Sequence, residues 1–518
     1  MATTLPTRIF PIGIQDFEQL RTRKYLYVDK TDLVYQMANT NQIYFLGRPR
    51  RFGKSLLLST LKAYFEGKRH LFEGLAMEGL EKEWIQYPVL HLSFARTRYT
   101  SVRNMELLLN KVLVQWEKTY GCVDANETFG GRFENIIHQA YEQTGQPVVI
   151  LIDEYDSPLL DSSGDKALRE DLRDITREFF SPLKDNTEIL RFLFITGITK
   201  FSQMSIFSEL NSLQNISLWE QYSGICGITE RELLANFKPD IEALARRNKE
   251  TFEEACAHLE RMYDGYHFSE ESEGVYNPFS LINVLASQRY DSFWYSTGTP
   301  TFLIDLLRER NMPLMDMEGC KAMPDAFDQS TDTLTDPIPV LYQSGYLTIK
   351  DFKNGIYALG YPNEEVRYGF LRSLLPTVLG YSKIESDMSL IAMKEALDTG
   401  DIDACLTRLR AFVASIPYEK KSDNESRFET IFYIIFTLMG QLTRTQVKTA
   451  SGRVDAIVTN TRYVYLFELK VDSTPEEALA QINQKGYAIP YETDGRTVVK
   501  VGINYDRQTR GITGWTMD

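Results

Sequence analysis

Cysteine chemistry is nearly absent from this sequence. The five cysteines among 518 residues, Cys122, Cys226, Cys256, Cys320 and Cys405, lie far apart and form no C-x-x-C pair. That excludes a zinc ribbon, an iron–sulfur site and a disulfide framework, and it reads as structural thiols in a reducing cytoplasm. Long apolar runs are missing too. The longest, VVILI and FYIIFTLM, fall far short of the ~20 residues a spanning helix needs. The N-terminal MATTLPTRIFPIGIQDF has no basic stretch ahead of an apolar core, so no signal peptide is expected. Positive charge is in deficit: 57 Lys and Arg against 71 Asp and Glu leave a net charge of -14. Such a chain does not coat nucleic acid by bulk charge, and an anionic membrane is excluded as a partner. Contact with nucleic acid must come from a local basic surface. The expected location is the cytoplasm.

What is present is an ordinary globular composition, 43% hydrophobic and 25% charged, with no internal repeats and no biased tract. The length suits roughly three domains, each with its own core. Up to about residue 226 short apolar runs alternate with helical patterns: QIYFLG, SLLLSTLKAYF, PVLHLSF, NMELLLNKVLVQWEKTY, PVVILIDEYD, DKALREDLRDITREFF and LRFLFITGITKF. This alternation predicts an α/β domain, residues 1–226, with a parallel sheet covered by helices on both faces. Residues 227–381 turn mainly helical. Thr229 and Glu232 form a capping-box pattern, and Asn354-Gly355 between alternating runs signals a β-hairpin. Helix plus hairpin is compatible with a winged helix or with a small wing packed on the first domain. Residues 382–518 begin with a helical connector and end, from about 424, in a compact αβββαβ domain. There Thr474 caps a helix with Pro475 at its first position.

The first chemical signal is GRPRRFGKS, Gly47 to Ser55. A phosphate loop reads G-x-x-x-x-G-K-[ST], and here the first glycine slot falls on Arg48. The stretch nevertheless lies between an apolar strand and a helix N-terminus, where free amides and the helix dipole favour an anion. Arg50, Arg51, Phe52, Gly53, Lys54, Ser55 and Leu56 are the expected nucleotide-binding residues. Lys54 would reach the β/γ-phosphates of ATP and Ser55 would ligate Mg2+. VVILIDEYD supplies the partner strand, with Asp153 expected in the Mg2+ shell and Glu154 as the group that orients or deprotonates water. Thr196, ending a fourth strand, is the candidate sensor, with Lys200 a weaker candidate just beyond. Arg169, Arg173 and Arg177 suit an arginine finger less well than a solvated helix face.

The second signal is GRVDAIVTNTRYVYLFELK. Asp455 sits in one strand, and Glu468 and Lys470 share a face of the next. Pairing through the Asn-Thr turn sets Asp455 beside Glu468. Two carboxylates then make a hard oxygen site for Mg2+, with a lysine ammonium beside the metal-bound water. An exposed ion-pair cluster is the alternative. Glu429 on the preceding helix and Gln481 on the following one are weaker candidates for the same site.

On these residues the chain resembles a known family. Leu5 to about Gly227 resembles the AAA-ATPase-like domain of bacterial ATP-binding proteins through FPIGIQDFEQLRTRKYLYVDKT, GRPRRFGKS, LIDEYDSPL and FITGITKFSQMSIFSELN. About Arg410 to Gly511 resembles the PD-(D/E)XK nuclease-like domain commonly fused to it, a restriction-endonuclease-like fold, through GRVDAIV, FELK and QINQKGYA. With MYDGYHF, VYNPFSLIN and FWYSTGTPTFL the resemblance covers nearly the whole chain. It implies Asp455 and Glu468 as metal ligands, Lys470 as catalytic lysine and Gln481 as the helix residue of the nuclease motif. In this family RPRRFGKS is itself the loop. The expected function is an ATPase gating a Mg2+-dependent nuclease on nucleic acid, DNA or RNA undecided. The alternative is an ATP-driven switch, or a module that binds nucleic acid or protein through a nuclease-like domain that does not cut. A homo-oligomer stays open.

Overall fold

A computed structural model describes residues 8–121, 127–198, 213–295, 303, 317–328, 337–379, 383–414, 432–438, 444–449, 452–493, 495–509 and 511–518. The chain forms two compact units, Met1–Arg310 with Glu318–Val366, and Asn311–Met317 with Arg367–Asp518.

In the first unit the apolar runs become a parallel sheet. Its strands β1 (Ile43–Gly47), β2 (Val89–Ser93), β3 (Val148–Asp153), β4 (Leu190–Gly197) and β5 (Gln214–Asn215) lie in the order β2-β3-β4-β1-β5. Only β5 was not expected, and at two residues it is too short to carry a pattern. Every residue of β3 is buried, as a central strand covered on both faces requires. On one face Ile150, Ile152 and Leu193 pack with Leu109 and Leu113 of α2 (Val102–Tyr120), Phe133 of α3 (Phe129–Thr144) and Phe179 of α4 (Lys166–Phe180). On the other, Phe65 of α1 (Lys54–Phe65) lies 5.1 Å from Phe192 of β4. Helix α3 was not anticipated, because its FGG opening hides the start; Thr128 caps it. The position of β4 matters most. It lies between β1 and β3, in register Leu46↔Thr196 and Ile152↔Ile195, so the loop after β1 and the acidic end of β3 flank Thr196.

The helical middle belongs to this same unit. Strands β6 (Ile228–Thr229) and β7 (Val275–Tyr276) pair beside α5 (Glu230–Asn248), α6 (Phe252–Tyr263) and α7 (Pro278–Ser287). Leu233, Phe237, Ile241, Leu259 and Leu281 form the core of these helices. The Thr229–Glu232 capping box is formed in both directions. The expected hairpin consists of β9 (Thr348–Lys353) and β10 (Ile356–Gly360), turning through Asn354 at φ 53° and Gly355 at φ 76°. An upstream strand, β8 (Cys320–Ala322), makes it a three-stranded sheet. Phe327, 5.2 Å from Tyr357 of β10, and Tyr342 of α8 (Pro337–Gln343) line a cavity of about 40 Å³ together with Arg48 and Pro49. Phe327 and Tyr342 thus link this sheet to the loop after β1.

The second unit holds α10 (Lys383–Thr399), α11 (Ile402–Ala414) and a five-stranded sheet. Its strands are β11 (Arg444–Thr449), β12 (Gly452–Thr459), β13 (Tyr463–Val471), β14 (Thr497–Asp506) and β15 (Gly511–Met517), in sequence order. Only β13 and β14 pair parallel, so α12 (Pro475–Gln484) is the crossover between them. Val464 and Leu466 pack under this crossover with Ile482 and Tyr487. Phe467 faces the other way, 4.6 Å from Phe436 in the helical residues 432–438. Strand β15 extends the expected αβββαβ order. Gly511 and Gly514 weaken its strand pattern in the sequence, and pairing with β14 forms it regardless.

Candidate functional site

The loop after β1 solves the missing glycine with a buried cation. Arg48 is 1% exposed. Its guanidinium donates to the carbonyls of Gly47 at 2.9 Å, Ser217 at 2.7 Å and Tyr222 at 3.0 Å, and it lies 4.0 Å over the Phe268 ring. Burial lowers its pKa to about 10. The turn that glycine flexibility would otherwise permit is here clamped to the segment after β5. Phe52 is likewise an anchor, set edge-on to Tyr266 at 4.7 Å and Phe268 at 5.4 Å. Arg50 and Arg51 are exposed, with Arg51 stacked 5.1 Å over Phe279. Arg51 at φ 66° and Gly53 at φ 90° take left-handed conformations. Such a sequence turns backbone amides toward one point, an anion-binding concavity at the start of α1.

Lys54 is buried, and its ammonium donates to the carbonyls of Arg48 at 2.8 Å and Pro49 at 3.0 Å. The Ser55 hydroxyl donates to Asp153 Oδ2 at 2.6 Å, and the Thr196 hydroxyl to Asp153 Oδ1 at 2.8 Å. The order β3-β4-β1 thus joins three residues distant in sequence. Thr196, the candidate sensor, holds the aspartate in this arrangement. Glu154 follows at φ 51°, and Ser157 Oγ lies 3.3 Å from its Oε2. Burial raises its pKa, Lys54 opposes this, and Asp153 adds to it. Next to Phe52, Gly53 and Leu56 opens an apolar pocket of about 100 Å³, walled by Leu26, Val28, Ile228 and Ile282. Sequence reading missed this pocket, because its walls come from three separate segments.

In the second unit, β12 and β13 pair in register Ala456↔Phe467, which sets Asp455 beside Glu468. Asp455 Oδ2 accepts from the Leu469 amide at 2.7 Å. Glu468 is 2% exposed. Burial first, then Asp455, pushes its pKa up to about 8, against the pull of Lys470. Gln481 on α12 ties the group together. Its Nε2 donates to Glu468 Oε1, and its Oε1 accepts from Lys470 Nζ at 2.5 Å. Glu468 Oε2 is buried without a hydrogen-bond partner among the described residues. A buried carboxylate with one oxygen left over, a second carboxylate beside it and an ammonium on the same strand face fit a divalent cation. No group of three or more His, Cys, Asp or Glu converges among the described residues.

Gly502 makes this geometry, and sequence reading passed it over. It pairs with Glu468 across β13 and β14. A Cβ there would stand 2.2 Å from the Pro475 carbonyl oxygen and 2.7 Å from the Leu479 amide. Only glycine lets α12 approach closely enough for Gln481 to reach Glu468. The available signal was a glycine inside the β-branched run TVVKVGINYD, which marks a close backbone approach. Lys200 and Glu429 lie outside the described residues. Arg177 is exposed and 3.8 Å from Asp174, in keeping with a solvated face, whereas Arg169 and Arg173 on the same helix are half-buried.

Comparison with known proteins points the same way. A family model described as "Predicted AAA-ATPase" matches residues 11–207, and one described as "PD-(D/E)XK nuclease superfamily" matches residues 423–515. The chain is 35% identical over 527 residues to the "Uncharacterized protein in vnfD 5'region" of Azotobacter chroococcum mcd 1, covering 98% of each. No described helix is long and apolar enough to cross a membrane.

Proposed function

The chain belongs to the family of that Azotobacter relative, as an AAA-ATPase-like domain joined to a C-terminal PD-(D/E)XK nuclease-superfamily domain, and from this premise we propose that ATP held by the first gates cleavage of nucleic-acid phosphodiesters by the second. The observation that carries the reading is Glu468. A buried carboxyl with an orphan oxygen, beside Asp455 and tied through Gln481 to Lys470, has little purpose in a purely structural strand, since a buried polar atom without a hydrogen bond is costly.

In the first site the amides of Arg51 to Ser55 receive the phosphates, Lys54 neutralises them, and the apolar pocket beside Leu56 takes the base. Ser55 and Asp153 hold Mg2+, Thr196 keeps the aspartate oriented, and Glu154 orients and deprotonates water. In the second, Asp455 and Glu468 hold a divalent cation and Lys470 sits beside the attacking water, its side chain oriented by Gln481. Bound there, the ion supplies positive charge to the phosphodiester and lowers the pKa of water. The working location is the cytoplasm.

The test is cleavage of plasmid, single-stranded DNA and RNA by purified protein with Mg2+ or Mn2+, beside Lys470→Ala. Cutting that disappears in the variant supports the reading and identifies the substrate. No cutting of any substrate, with ATP still consumed, rejects it in favour of a nucleotide-driven switch.

A further inference from the structure

The middle region grips the phosphate loop at a point the proposed nucleotide chemistry does not use. Trp294, 5% exposed, donates its indole Nε1–H to the carbonyl of Arg50 at 3.0 Å. In a trans peptide the carbonyl and the following N–H point in opposite directions. With the Arg50 carbonyl held on the indole, the Arg51 N–H points the opposite way, to the side of the loop where the proposed phosphate would sit. The next residue, Arg51, is held against Phe279. Two adjacent loop residues are therefore set by groups from outside the parallel sheet.

Both grips converge on one buried carboxyl. The Trp294 backbone N–H donates to Glu365 Oε1 at 2.7 Å. Ser280, the neighbour of Phe279, donates its hydroxyl to Glu365 Oε2 at 2.7 Å. Glu365 is fully buried and occupies the first turn of α9 (Glu364–Leu379). Asn363 caps that turn by accepting from the Val366 amide at 3.1 Å. After Val366 the chain leaves the first compact unit, and from Arg367 onward it belongs to the second.

We propose that Trp294 is a positioning residue of the phosphate loop and that, through Glu365, it couples the state of the loop to the start of the helix on which the chain passes into its second unit. The proposal rests on the nucleotide-gated reading above and supplies its transmitting parts. Loop occupancy sets the Arg50 peptide, the peptide sets the indole, and the indole's own backbone is tied to the helix start. A purely structural tryptophan would stabilise the unit without linking exchange at these two separate segments.

Hydrogen exchange separates the two possibilities. Two variants are used: Trp294→Phe, which keeps a ring and removes the indole donor, and Ser280→Ala, which touches neither loop nor nucleotide. In nucleotide-free protein both should speed amide exchange at 49–54 and at 366–369, by roughly tenfold for one lost hydrogen bond, with exchange in β3 unchanged. ATP should slow exchange at both segments in the parent protein, but only at 49–54 in Trp294→Phe. If Ser280→Ala leaves the loop amides at the parent rate, the coupling is wrong, even where Trp294→Phe fails to fold. Equal protection of 366–369 by ATP in Trp294→Phe and parent also overturns it. If the parent shows no ATP binding by calorimetry but Ser280→Ala still speeds loop exchange, the nucleotide reading fails and the coupling stands.

Discussion

Arg48→Gly writes the standard phosphate-loop spelling into the chain, and the structure predicts that it does harm. The guanidinium it removes makes three hydrogen bonds to carbonyls. At about 1.5–3 kcal/mol for each bond to a charged group, the gross loss is on the order of 5–9 kcal/mol. Part is offset, because a buried cation is itself costly by several kcal/mol, and the pKa lowered to about 10 reflects that cost. Against the offset stand the Gly47 and Ser217 carbonyls, which lose this donor while Tyr222 keeps the Ile225 amide, the cavity under Phe268 and the added freedom of glycine. The net expectation is a loss of about 3–5 kcal/mol. The Lys54 ammonium bonds to the Arg48 and Pro49 carbonyls, so ATP affinity should fall as well, by at least about tenfold. Arg48→Lys, which keeps the charge but not the planar fork, should fall between. Urea unfolding and calorimetric titration with ATP read both effects. Parent-like stability and affinity in Arg48→Gly would refute the view that this guanidinium replaces the loop glycine.

Three further outcomes follow from particular contacts. Glu154→Gln should lower ATP hydrolysis by about a hundredfold to ten-thousandfold while ATP still binds, measured by phosphate release and calorimetry. Gly502→Ala should force α12 off the sheet, costing about 1–3 kcal/mol and weakening cleavage, because Gln481 no longer reaches Glu468. Glu365 sets a pH dependence: burial pushes its pKa from 4.5 up to about 7, while Ser280 and the Trp294 amide oppose the rise. The phenols of Tyr263 and Tyr266 feel its charge, and both are un-ionised in this range. As pH rises from about 4.5 to about 7 the unfolded chain gives up this proton while the folded chain keeps it. Stability therefore falls across that window, by about 3 kcal/mol, and is flat above it. Glu365→Gln should remove that slope, seen as a changed difference in urea midpoints between pH 5 and pH 8.

The parallel sheet was legible because buried strands leave continuous apolar runs, as β1, β3 and β4 did, and because the edge strand β2 alternates, VLHLS. The capping box at Thr229 and the turn at Asn354-Gly355 were legible because both are local chemistry. Short strands such as β5 and β8 carry no period of their own and exist by pairing with neighbours. In the candidate sites, Lys54, Ser55, Asp153, Asp455, Glu468 and Lys470 stood out as charged or hydroxyl groups abutting apolar strands. The anchoring of Arg48, the reach of Trp294 to Arg50 and the approach of α12 at Gly502 are long-range packing. Of these only Gly502 left a trace in its own strand.

The central claim is that nucleotide at the first site governs cutting at the second. The most direct measurement is the cleavage rate of the preferred nucleic-acid substrate without nucleotide, with ATP and with a non-hydrolysable analogue, for parent, Lys54→Ala and Lys470→Ala. The account predicts a parent rate that depends on nucleotide, a Lys54→Ala rate that ignores it, and no cutting by Lys470→Ala. A Lys54→Ala protein that cuts like the parent under all three conditions would contradict it.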